Sequence, residues 1–199
     1  MNKEFSAQLV PLAAPASAVR TGLRSIGVVL AGSALVAACA HLSLPLYFTP
    51  VPLSLAPFAV LLLGLALSPR LAAATLGAYL AEGALGLPVF APSPLMAGGI
   101  AHLLGPTGGY LLAYPLAACL IAFLWRRSGR GFSAALLSAG AGNLAILACG
   151  ALWLAALAHL PVRTAIDLTV LPFLPGDALK IAAAAAMAVS IERLRRQGR

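Results

Sequence analysis

"LPFLPGDALKIAAAAAMAVSIERLRRQGR" (Leu171–Arg199) decides how this chain is read. After Gly176 it is a helix of Ala, Ile, Met and Val that ends in a basic tail, and only Asp177 and Lys180 interrupt its apolar character. A run of that kind suits lipid, yet it holds a carboxylate and an ammonium one helical turn apart. At the start of a helix Asp177 can cap free N–H groups and match the helix dipole. Lys180 can snorkel outward or neutralise Asp177 at i+3. An ionisable residue inside a membrane is also a functional candidate by default. An acceptor and a donor side by side suit a small polar ligand.

The rest of the chain fits a membrane setting. Of 199 residues, 61% are hydrophobic and 9% charged, and the mean hydropathy is +0.98. Soluble domains average about 25% charged residues. Several runs exceed the ~18 apolar residues that mark a transmembrane helix, so the expected class is an all-α polytopic membrane protein. The net charge of +8 is better explained by membrane orientation than by nucleic acid. Cys39, Cys119 and Cys149 are isolated, without CxxC spacing, and an odd count argues against a disulfide framework. Arg20 and Arg24 precede a first apolar run that reads as an anchor rather than a cleaved signal.

Residues 1–24 read as a cytoplasmic lead, residues 25–196 as one six-helix transmembrane domain, and 197–199 as a tail. The expected spans are Ser25–Leu42, Ser54–Leu67, Leu71–Leu87, Tyr110–Trp125, Phe132–Ala158 and a sixth from near Asp177. "LPLYFTPVPL" (Leu44–Leu53) reads as a surface loop. Residues 88–109, apolar but rich in Pro and Gly, read as irregular backbone buried in protein. The stretch before the sixth span reads as a connection. With both termini inside, the inner segments hold eleven of the 13 basic residues; only Arg163 lies outside, and Lys180 lies within a helix. The positive-inside rule favours that topology.

This topology brings Tyr110, Asp177, Lys180 and Glu82 to the outer third of the membrane and implies a pocket open to the outside. Glu82 has three readings: snorkelling to the interface, a partner for Lys180, or a ligand contact. His41, His102 and His159 lie near outer helix ends without HxxxH or HExxH spacing, which favours packing over a metal site. Trp125 and Trp153 fit an aromatic belt. "GPTGGY" (Gly105–Tyr110) lacks the Lys-Ser/Thr ending of a phosphate loop and reads as a helix start whose glycines permit close packing. Neither a GxSxG motif nor an ATPase signature occurs, so an enzyme is not expected. Gly27, Ala31, Ala34 and Ala38 form a small-residue stripe that lets another helix approach.

Four motifs, "FTPVPLSL", "ALGLPVFA", "LLGPTGGYLLAY" and "LPFLPGDALK", occur in order across the chain. With them the chain resembles the BioY family, the biotin-specific substrate-capture (S) components of energy-coupling-factor (ECF) transporters, from about Gly27 to Ile191. The resemblance implies a six-helix S-component bundle in the bacterial plasma membrane. It implies an outward pocket closed by the first external loop, with Asp177, Lys180 and Tyr110 binding biotin and no cofactor. It further implies that Ala34 and Ala38, as AxxxA, dock onto a transmembrane coupling protein that works with ATPase subunits. The family's Asn before the fourth helix has no counterpart, since the asparagines are Asn2 and Asn143; Ser93 or Glu82 stand in its place as candidates. An S component for another vitamin, or a solitary biotin carrier, would share most of these features.

Overall fold

The computed structural model describes residues 16–92 and 98–198. Helix α1 (Ala16–His41) leads into a short antiparallel hairpin, β1 (Ser43–Leu44) with β2 (Leu53–Ser54), in the register Ser43 to Ser54. Then follow α2 (Ala56–Ala66), α3 (Pro69–Ala84), the short α4 (Ile100–Leu104), α5 (Gly108–Arg127) and α6 (Phe132–Leu157). The chain closes with α7 (Val162–Thr169), a 3-10 turn (Leu171–Phe173) and α8 (Leu174–Gln197). Helix α5 packs against α2, α3 and α6, α8 against α2 and α6, and α1 against α2 and α3.

The six long helices are those expected from the sequence, with shifted ends. Helix α1 begins at Ala16 rather than Ser25, because nothing after Pro15 breaks a run of helix-forming Ala, Val, Leu and Arg. Much of the expected lead is therefore helical, while residues 1–15 lie outside the described part. Helix α3 starts where Pro69 occupies the first turn and Ser68 Oγ accepts the Leu71 N–H at 3.4 Å. Helix α8 starts at Leu174, so Pro175 and Gly176 lie in its first turn and Asp177 is already inside it.

Three connections carry more order than a loop. The proline-rich stretch after α1 is pinned by the hairpin, where Thr49 Oγ1 accepts the Val51 N–H at 3.3 Å. Residues 100–104 form α4, started by Gly99 at φ +75°, a backbone shape that glycine adopts without strain. The connection before α8 holds α7, with Ala165 and Thr169 on its buried side. At eight residues α7 is too short for its periodicity to stand out.

Length also divides the helices. Helices α1, α5 and α6 and the stretch Val162–Gln197 are long and apolar enough to cross a membrane. Helix α2 has 11 residues, or roughly 16 Å at 1.5 Å per residue, against a hydrocarbon core of ~30 Å. Protein cover makes the irregular backbone of the hairpin segment that precedes α2 tolerable: Thr49 and Val51 are both buried.

Two buried clusters result. One, at the end of the bundle where α5 finishes, joins Leu61, Leu65, Ile121 and Trp125 to alanines of α6 and α8, among them Ala135, Ala139, Ala184 and Ala185. Trp125 is thus core rather than part of an aromatic belt, 4% exposed. The other cluster is larger and more aromatic, with Tyr79, Phe90, Tyr110, Tyr114 and Phe173. It surrounds a cavity.

Candidate functional site

The cavity lies among the hairpin, α2, α3, α5, α6 and α8 and encloses about 650 Å³ including its mouth. Val51, Pro52 and Ser54 of the hairpin segment form one wall, and Ile146, Leu147 and Phe173 add apolar surface.

Asp177 and Lys180 stand on this cavity, and their geometry resolves the readings left open above. Lys180 Nζ donates to Asp177 Oδ1 at 3.0 Å, with side chains 10% and 6% exposed. Lys180 therefore does not snorkel. Asp177 does not act as a cap either, because the other oxygen, Oδ2, accepts Asn143 Nδ2 at 3.0 Å. With α8 beginning at Leu174, the Asp177 side chain reaches across to α6. Breaking a buried pair of this kind costs about 3–5 kcal/mol, so Asp177 and Lys180 depend on one another.

Tyr110 is also on the wall, and its Oη donates to the Thr169 carbonyl at 3.1 Å. The ring fits because residue 150 is glycine; a Cβ there would overlap the ring itself. Gly109 plays the same part for Trp153, whose Nε1 donates to the Gly105 carbonyl at 2.9 Å. The glycines of "GPTGGY" do serve close packing, and Trp153 holds the start of α5 to α6.

An aromatic chain lines the other side. Tyr79 stacks on Tyr114 with ring centroids 6.4 Å apart and meets Phe90 edge-on at 5.4 Å. Phe90 in turn lies 5.0 Å from His102. His102 lines the cavity rather than the protein's outer rim, and burial pushes its pKa below the ordinary value, favouring the neutral ring. Two buried atoms at this site, Tyr79 Oη and Asn143 Oδ1, have no hydrogen-bond partner among the described residues. Among those residues no three His, Cys, Asp or Glu side chains gather where they could hold a metal ion.

Of the other residues singled out in the sequence, Glu82 faces away from this site. It accepts a hydrogen bond from Ser33 Oγ and ties α3 to α1, and it is not part of the cavity wall. Ser93 lies outside the described residues. Ala34 and Ala38 are exposed, as are Gly27 and Ala31, so the small-residue stripe of α1 faces out of the bundle. Sequence reasoning passed over Asn143, Tyr79 and Tyr114. Asn143 carried a signal: it is the single amide inside the apolar run of α6, where an unpartnered polar group is costly.

Comparison with known proteins agrees with this arrangement. The chain is 42% identical over 143 residues to a probable biotin transporter BioY of Pyrococcus horikoshii, covering 72% of this chain and 82% of that protein. It is 36% identical over 162 residues to the biotin transporter BioY of Thermotoga maritima, covering 81% and 92%. A crystal structure of the S-component for biotin from an ECF-type ABC transporter superposes with a TM-score of 0.79 at 26% identity, over 91% of this chain and 95% of that one. The sequence model of the BioY family matches residues 7–197, a span that takes in every helix and the whole cavity: the chain belongs to the BioY family.

Proposed function

We propose that this multi-pass membrane protein takes up biotin as the substrate-capturing S component of an ECF-type transporter. It binds the vitamin from outside and releases it inside. One observation carries the reading: a polar network, Lys180–Asp177–Asn143, sits at the wall of a largely apolar and aromatic cavity. Biotin has the matching division, an apolar bicyclic body with a ureido group and a distal carboxylate. The body packs against Tyr79, Tyr114 and Phe173, Asp177 accepts a ureido N–H, and Lys180 donates to a ligand oxygen. Tyr110, held by Thr169, keeps its ring on the wall. The transporter family assignment leaves no call for catalytic chemistry at this site.

The partners follow from the outward stripe of α1. Ala34 and Ala38 offer a surface on which a helix of the transmembrane coupling protein can approach closely, and the ATPase subunits act through that protein. The basic residues around Arg126, Arg127 and Arg193 favour a topology with both termini in the cytoplasm.

Titration calorimetry on the purified protein tests the ligand. The expected outcome is saturable binding of biotin and none of lipoate, which has a similar acid chain but no ureido group. Heat from neither ligand would overturn the reading. For orientation, Gly129→Cys in a cysteine-free background should label only from the cytoplasm and Thr164→Cys only from outside.

A further inference from the structure

The two orphaned atoms belong to side chains that line the cavity, and they have one feature in common: each needs the opposite half of a hydrogen bond that a cyclic urea supplies. Asn143 is 4% exposed and its amide is fixed, because Nδ2 is committed to Asp177 Oδ2 at 3.0 Å. That bond sets the orientation of the amide, so Oδ1 is an acceptor held in place beside the carboxylate. Tyr79 is fully buried. Its ring is clamped between Tyr114 and Phe90, which fixes the direction of its hydroxyl. Buried polar groups in folded proteins are rarely left unpaired, and both of these side chains line the same cavity.

We propose that Asn143 and Tyr79 are ligand-contacting residues, Asn143 Oδ1 accepting one N–H of the bound urea and Tyr79 Oη donating to a ligand oxygen. The assignment rests on the biotin reading and deepens it. Asp177 and Asn143 then form a double acceptor for the two N–H groups of the urea, with the Lys180 ammonium 3.0 Å from Asp177 Oδ1. Asn143 does for Asp177 what a second donor must do in a dry site: it satisfies the oxygen that Lys180 does not reach. The arrangement selects a ligand with two parallel N–H donors. A ligand with an oxygen in place of either one would set lone pair against lone pair.

The experiment is a cycle of two variants and three ligands, read by calorimetry on the full-length protein: biotin and its two cyclic carbamate analogues, each with an oxygen in place of one ureido N–H. The unaltered protein should bind both carbamates at least about tenfold more weakly than biotin. Asn143→Leu should weaken biotin by a similar factor and abolish most of the penalty against one carbamate, so the two losses do not add. Tyr79→Phe removes an oxygen with no protein partner among the described residues. It should leave the melting temperature of the ligand-free protein unchanged or raised, while biotin affinity falls about tenfold. Equal binding of biotin and both carbamates by the unaltered protein overturns the proposal without any variant. So do additive losses in a folded Asn143→Leu, or full affinity in Tyr79→Phe. An unaltered protein that binds no biotin instead sinks the parent reading and this one with it.

Discussion

The cavity half and the alanine half of this bundle, outer and inner in the topology proposed above, solve the same packing problem in opposite ways. The inner half brings its helices together over side chains as small as they can be: Ala135, Ala139, Ala184 and Ala185 are fully buried against Leu61 and Ile121. Without a hydrophobic force between helices in lipid, such close contact is the main source of cohesion. The outer half is held apart by rings and by an ion pair, and glycines at 109 and 150 make room for them. One end is closed by the absence of side chains and the other opened by their size. A ligand taken at the open end therefore meets a closed seam on its way inward. Release has to come from moving the bundle or the hairpin rather than from a channel through the alanines.

The largest effect should come from breaking the outer network. Asp177→Ala strands the Lys180 ammonium in a buried site, at a cost of about 3–5 kcal/mol. The melting temperature should drop steeply and biotin binding should vanish. Asp177→Asn is milder and more informative, since it keeps the size and an amide that can still meet Asn143. Losing a charged hydrogen bond costs about 1.5–3 kcal/mol, so biotin affinity should fall at least about tenfold by calorimetry. Asn caps helices about as well as Asp, so an unchanged affinity would return Asp177 to a structural role.

Overfilling the inner seam should separate stability from binding. Ala139→Leu or Ala184→Leu inserts three carbons where helices touch and should cost about 1–3 kcal/mol, seen as a lower melting temperature in detergent. Biotin affinity of the folded fraction should stay within about threefold, because the cavity belongs to the other cluster. A joint collapse of both quantities would mean that the two halves are one cooperative unit.

Smaller still, Gly150→Ala pushes the Tyr110 ring toward the cavity. Biotin affinity should fall about tenfold, or 1.4 kcal/mol. Tyr110→Phe combined with Gly150→Ala should recover none of this, since the ring and not the hydroxyl is displaced. Least affected of all should be the protein with Ala34→Trp and Ala38→Trp. These residues are exposed on α1, and exposed substitutions are usually within about 0.5 kcal/mol. Biotin should bind as before, while co-purification with the coupling protein is lost.

The alternation of apolar runs with Pro, Gly and Arg made the six helices legible, the longest runs marking a membrane protein and the shorter ones following from the turns between them. Asp177 and Lys180 were legible for the same reason, as charges out of place. Their partner Asn143 was not taken up, since an amide is a weaker anomaly than a charge and only the helix packing brings α6 to α8. Tyr79 and Tyr114 were hidden differently: aromatic residues in apolar helices are ordinary, and only the cavity makes them a wall. Glu82 drew attention for being charged, yet its partner is Ser33, which has no sequence signal at all. The starts of α1 and α8 shifted because helices continue through residues that merely permit them.

The ion pair at Asp177 and Lys180 has a consequence for energetics across the membrane. The two charges cancel, so the empty site carries none, and a loaded site carries only what the ligand brings. Biotin brings one negative charge in its carboxylate. Moving that charge inward against an interior-negative potential costs about 2.3 kcal/mol per 100 mV, roughly a fortyfold bias toward the outside at equilibrium. A spare cation in the site would only shift that cost to the return of the empty carrier, because one negative charge still crosses per cycle. Uptake against this bias requires an energy source other than the membrane potential.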